Sequence, residues 1–261
     1  MIFLPILVFG LGLIVGSFLN VVILRLNTGR SFATGRSKCM TCSTTLHWYE
    51  LIPVFSFLGL RGKCRSCKSA ISFQYPFVEL VTAIVFVILY TKIILVGGIT
   101  LLTLGSFIGG AIAGSLLIVI AAYDFRHKII PDKIVYPFIT LGFISIIWKA
   151  IMIPGFLPIP YIIAGPVLAA PFFFIWYFSK GRAMGFGDVK LALGMGWFLG
   201  MSAGIAAFFL SFWVGAVVGL ILMGVSQAKL KSQIPFAPFL IFAFFIVGLW
   251  GVTLQSLFPI W

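Results

Sequence analysis

A chain of 261 residues that is 62% hydrophobic and only 9% charged is not built as a soluble globular domain. Its net charge of +13 comes from Lys and Arg scattered over short stretches between apolar runs. Without an aromatic-interleaved basic surface, that pattern argues against a nucleic-acid partner and for membrane lipid.

Eight apolar segments follow in order, at 3–24, 76–96, 99–122, 134–151, 158–178, 189–200, 203–225 and 235–254. They predict an all-α polytopic membrane protein of about eight transmembrane helices with a small cytoplasmic zinc-binding loop module. The expected division is a first transmembrane helix over 1–24, a four-cysteine module over 25–75 and a seven-helix membrane core over 76–261. No basic residue precedes the first segment, and Arg25 and Arg30 follow it, so a retained helix is expected rather than a removed signal peptide. The sixth segment is short for a span and calls for tilt or a thinned bilayer. With the N-terminus outside, all Lys and Arg except Lys92 and Lys149 fall on cytoplasmic loops, Lys229 and Lys231 among them.

In the first loop, Cys39-Met40-Thr41-Cys42 and Cys64-Arg65-Ser66-Cys67 form two Cys-x2-Cys pairs. Four thiolates in two knuckles match a closed, structural zinc site. Two disulfides are the alternative, disfavoured in the cytoplasm. Such an insert has little apolar mass, so metal binding would supply its folding energy.

Only five carboxylates occur, and Asp124 and Asp188 stand at the ends of apolar runs on the same predicted side. Idle carboxylates are costly there. Brought together, two could share a proton, activate water and polarise a scissile carbonyl, as in an aspartyl protease. Taken singly, Asp188 could be a helix N-cap and Asp124 a solvated loop residue beside Arg126. Gly185 and Gly187 flank Phe186 just before Asp188 and would allow close approach of a helix or an extended substrate. Asp132, after Pro131, reads as a cap or structural anion, and His127 as a donor behind the pair or a headgroup-facing side chain. Pro235 and Pro238 open the last segment and could shape a peptide groove or simply stiffen the helix start. Glu50 and Glu79 are the only glutamates; each reads as a salt-bridge anchor, with Glu79 alternatively lining the active-site entrance.

Together these stretches resemble the type IV prepilin peptidases, the prepilin leader peptidases with N-methyltransferase activity. The resemblance runs from Gly16-Ser17-Phe18-Leu19-Asn20 through both cysteine pairs, His47 to Pro53, Leu60-Arg61-Gly62-Lys63-Cys64 and Ile71 to Pro76. It continues through Asp124 to Asp132, Gly185 to Gly200 and Pro235 to Phe239. Asn27, Met40, Leu51, Gln74 and Ala237 depart from the residues usual in that pattern.

The resemblance implies a Gly-x-Gly-Asp membrane aspartyl protease of the bacterial inner membrane with Asp124 and Asp188 catalytic. Its implied substrates are type IV prepilins and pseudopilins, whose short basic leaders are cut on the cytoplasmic face. S-adenosylmethionine-dependent methylation of the new N-terminus would follow. Asn20, Glu50, Arg61 and Glu79 match motif positions for substrate handling or methyl transfer. The competing reading is a proton- or ion-coupled transporter using intramembrane aspartates, which would place its acids deeper in the spans.

Overall fold

A computed structural model describes residues 3–29, 31–225 and 234–257 of the chain. Arg30, Lys229 and Lys231, three of the cations behind the expected orientation, lie outside the described residues. The helices are α1 (Phe3–Arg25), α2 (Phe55–Gly59), α3 (Gln74–Leu89, continued by a π turn, Tyr90–Leu95), α4 (Leu101–His127) and α5 (Asp132–Met152). They continue with α6 (Ile159–Ser179), α7 (Phe186–Leu199), α8 (Met201–Gly224), α9 (Ala237–Trp250) and α10 (Leu254–Leu257).

Among the described residues, six helices are long and apolar enough to cross a membrane: α1, α3 with its π turn, α4, α5, α6 and α8. The other two expected spans are helices α7 and α9, of 14 residues each. At ~1.5 Å per residue each covers only about 21 Å, against ~30 Å of hydrocarbon.

Two compact units divide the chain, Met1–Val119 and Ile120–Trp261. In the first, α1 packs along α3. The contact depends on Gly12 and Gly16, one helical turn apart. A Cβ on Gly12 would lie 2.5 Å from the Ala83 Cα, and one on Gly16 would lie 2.6 Å from the Glu79 Cα. In lipid, where apolar burial offers no drive between helices, such small residues let backbones approach closely enough for dispersion to hold them.

In the second unit, α7 is the hub and touches α5, α6, α8 and α9. Its Leu191, Ala192 and Met195 are fully buried. Glycines again set the spacing: a Cβ on Gly196 would meet the Ala164 carbonyl oxygen at 2.6 Å, and one on Gly194 the Phe138 ring at 2.7 Å. Phe138 in turn stacks on Phe198 at 5.2 Å and meets Phe244 edge-on at 6.1 Å. The helix stops at Gly200, whose φ of 77° suits glycine. The Lys149 ammonium closes that end, donating to the Phe198 carbonyl at 3.1 Å over the Tyr161 ring. Helix α7 is thus held by packing on all sides and capped at its C-terminus by a side chain of α5.

Candidate active site

Helix α4 runs past its apolar stretch. The sequence pattern ends it near residue 122, yet the backbone stays helical to His127 because Tyr123 to His127 continue the hydrogen-bonded ladder. Lys128, at φ 55°, then breaks it, and its N–H donates to the Asp124 carbonyl at 2.7 Å. Asp124 therefore lies inside the last turns of a helix and not in a loop. Its side chain is 5% exposed. The Ala237 backbone N–H lies near its carboxylate. That donor is one of the first-turn N–H groups that α9 cannot satisfy internally. Pro235 and Pro238 bracket it, so the prolines shape the turn that offers Ala237.

Asp188 occupies the first turn of α7, with Gly185 rather than Asp188 as N-cap. Its carboxylate lies near the Gly185 N–H, at the third position after the cap. Its two oxygens differ in their surroundings. Oδ1 is buried and has no partner among the described residues. A buried oxygen left open by its protein neighbours suits a group that takes up a proton or a hydrogen bond during chemistry. Asp124 and Asp188 both belong to the second unit, and Asp188 feels the charge of Asp124.

Of the two glycines, Gly187 has the clear steric reason: a Cβ there would sit 2.7 Å from the Ile130 Cβ. Gly185 has a φ of −76°, so neither glycine is present for a left-handed backbone. Asp132 lies apart from the pair. Its Oδ1 accepts from the Lys190 ammonium at 2.6 Å, which also lies over the Tyr136 and Phe186 rings. His127 meets the Tyr123 ring at a tilt, with centroids 4.4 Å apart.

In the first unit the four cysteines converge, with all Sγ atoms within 4.8 Å of one another. A tetrahedral zinc with bonds of about 2.3 Å sets sulfurs about 3.8 Å apart; Cys39 and Cys67 are already at 3.8 Å. The two knuckles repeat one backbone pattern. Cys39 N–H donates to Thr44 and Ser43 N–H to Cys39; Cys64 N–H donates to Ser69 and Lys68 N–H to Cys64. Backbone hydrogen bonds from Cys42 and then Thr41 pull the Cys39 thiol down to about 6. Cys67 is lowered chiefly by the Ser69 hydroxyl. For Cys64, backbone bonds from Cys67 and Ser66 act downward, but burial and the thiols of Cys39 and Cys67 outweigh them and raise it. Crowded thiolates of this kind call for a cation, and this donor set fits zinc.

Two family models match the chain. "Bacterial Peptidase A24 N-terminal domain" covers residues 10–93, and "Type IV leader peptidase family" covers 111–220. A relative from Bacillus subtilis (strain 168) is 32% identical over 97% of this chain and 96% of its own length. Another from Pseudomonas aeruginosa is 31% identical over 92% and 88%. One from Xanthomonas campestris pv. campestris is 30% identical over 93% and 90%. Each is named prepilin leader peptidase/N-methyltransferase. The chain belongs to the type IV leader peptidase family. No solved structure matches it. The transporter alternative gains no support.

This family member is an enzyme, and its remaining motif residues have defined places. Glu50 accepts the His47 N–H at 2.8 Å and pairs with Arg65 at 3.4 Å, tying the His47 stretch to the second knuckle. Arg61, at φ 52°, and Gly62, at φ 67°, make the turn that leads into Cys64. Among the described residues Glu79 makes no ion pair with a basic loop residue. Its Oε2 accepts the Val54 N–H at 2.7 Å, and the Ser17 hydroxyl lies near the carboxylate. Ala237, Val54 and Lys190 were not legible as site neighbours. The first two act through backbone N–H groups, which side-chain chemistry does not advertise; Lys190 is marked only by its place two residues after Asp188.

Proposed function

We propose that this enzyme is an aspartyl endopeptidase that removes the short basic leader of type IV prepilins or pseudopilins at the cytoplasmic face of a bacterial inner membrane. The observation that supports it most is the pair of buried aspartates in one unit, one with an unpartnered oxygen. In this reading a proton is shared between Asp124 and Asp188. The ionised partner takes a proton from water while the protonated partner donates to the scissile carbonyl oxygen. The pair acts as one titrating unit, so neither residue owns the acid role. The Ala237 N–H steadies Asp124, and Gly187 lets the Ile130 segment close against the first turn of α7. Gly185, Pro235 and Pro238 belong to the walls that hold the extended leader.

The organisation we infer is a first span over 1–24, a cytoplasmic zinc module over 25–75 and a seven-helix core over 76–261. Helices α7 and α9 serve as short crossings packed among longer ones, for eight in all. Zinc, held by Cys39, Cys42, Cys64 and Cys67, would order the module and supply no chemistry to cleavage, because four thiolates leave no open position. N-methylation of the new N-terminus, with S-adenosylmethionine as donor, is the second activity we assign, in line with the name its relatives carry. Glu50 and Arg61 keep the module in shape for it.

The test is to incubate the purified protein with a prepilin, with and without S-adenosylmethionine, and read intact mass. Loss of the leader plus one methyl mass is expected. Folded protein that leaves several prepilins uncut would sink the reading.

A further inference from the structure

The first unit holds a buried carboxylate that the proteolytic chemistry does not use. Glu79 is 5% exposed, and neither ion pair among the described residues involves it. Close by, Asn20 is 1% exposed in the otherwise apolar face of α1. Its Nδ2 donates to the carbonyls of Gly16 at 3.3 Å and Tyr75 at 3.1 Å. Both partners are acceptors, so the amide orientation is dictated and Oδ1 must face the other way. Oδ1 is buried and has no partner among the described residues.

The two groups share one neighbourhood. Tyr75 lies one turn before Glu79 on α3, and Gly16 packs against the Glu79 Cα. Thr82, one turn on, spends its proton on the Val78 carbonyl at 2.7 Å and so presents only lone pairs. Carboxylate, amide oxygen and hydroxyl lone pairs thus belong to one stretch of the α1–α3 contact, an interface rich in acceptors that the Val54 N–H serves only in part. What satisfies it is a compact cation with several N–H donors.

A second observation places an apolar surface beside it. Val54, whose N–H is bound by Glu79, stands at φ 61°, ψ −51°, a region that β-branched residues avoid. Its neighbours Ile52 and Phe55, with Tyr49 and Leu60, line an open depression of about 270 Å³. One strained turn therefore supplies both the N–H that Glu79 binds and two walls of the depression.

We propose that Glu79 and Asn20 form the amine site of methyl transfer: they bind the N-terminal ammonium freed by leader cleavage, and Glu79 accepts its proton. This rests on the methyl-transfer reading above. When bound, the sulfonium donor supplies an electrophilic methyl group, so that the N–C bond forms as the S–C bond breaks, the electron pair stays on sulfur and the ammonium proton resides on Glu79. The depression offers Tyr49 and Phe55 to the flat, apolar part of that donor.

The experiment uses the full chain in nanodiscs, without any methyl donor. It is titrated with a cleaved prepilin product labelled at its C-terminus, and with the N-acetylated twin of that product. The wild type is expected to bind the free amine about tenfold or more tightly than the acetylated form. Glu79→Gln keeps an acceptor for the Val54 N–H and should lose that preference, and Asn20→Leu, which removes the amide oxygen, should weaken it; Asp132→Asn should keep it. Asp188→Asn should keep it too, which separates this site from the protease pair. Addition of S-adenosylmethionine should then methylate the wild-type product and leave the Glu79→Gln product unmethylated. A folded Glu79→Gln protein with undiminished amine preference overturns the proposal. A wild type that prefers the amine yet never methylates it overturns the methyl-transfer reading and the proton-accepting role with it.

Discussion

Helix α7 carries Asp188 on 14 residues gripped by four neighbouring helices, whereas the loop between α1 and α3 carries four cysteines with hardly any buried side chain of its own. In α7, position is set by shape: glycines at 187, 194 and 196 each admit a neighbour that a methyl group would displace. In the loop, position is set by polar geometry, from paired backbone bonds at each knuckle to the Glu50–Arg65 bridge. The two designs should fail differently. Loss of a charge or ligand should ruin the loop, and gain of volume should ruin α7.

The largest effect tests neither design but the chemistry. Asp124→Asn or Asp188→Asn should lower leader cleavage about a thousandfold or more while thermal unfolding changes little. Near-normal turnover of either variant would remove it from the catalytic pair. Next, Cys39→Ser combined with Cys64→Ser should abolish zinc in elemental analysis and open residues 31–73 to protease, leaving the fragments of the second unit intact. Full zinc content in that variant would end the four-cysteine assignment.

Gly187→Val should cut cleavage about tenfold, since sub-ångström to 1 Å misplacement of a reacting group is costly. Ile130→Ala in the same chain should restore part of it; no restoration would mean that packing is not what places Asp188. Metal retention should also depend on acidity. Because the Cys39 thiol is held down to about 6, below its ordinary 9.0, its thiolate contribution is complete above the ordinary value and disappears as pH falls through about 6. Zinc fully retained on acidification well below that pH, followed with a metal-sensitive dye, would contradict the assignment. The smallest effect belongs to the Asp132–Lys190 pair. With the Asp132 side chain 59% exposed, Asp132→Asn should cost under about 1 kcal/mol in thermal unfolding.

Much of this arrangement could be read from residue order. Apolar runs located the helices, and the spacing of Cys39, Cys42, Cys64 and Cys67 foretold that their sulfurs would meet. The scarcity of acids drew attention to Asp124 and Asp188. What stayed hidden has physical reasons. Hydropathy ended the third segment at the last apolar residue, but the backbone of α4 continues through Asp124 to His127 because polar residues hydrogen-bond helically as well as apolar ones. Ala237 and Val54 contribute N–H groups, a property every non-proline residue shares. The unpartnered oxygens of Asn20 and Asp188 emerge only when neighbours are placed around them.

The far end of α7 carries a consequence for the surrounding lipid. A helix of about 21 Å stops well short of a ~30 Å hydrocarbon layer, and there the Phe198 carbonyl accepts its hydrogen bond from Lys149 instead of from a headgroup. The protein thus brings its own ammonium down to meet a short helix. Bilayer thickness should accordingly matter more to the stability of this enzyme than its six long helices alone would suggest, and shorter acyl chains should suit it best.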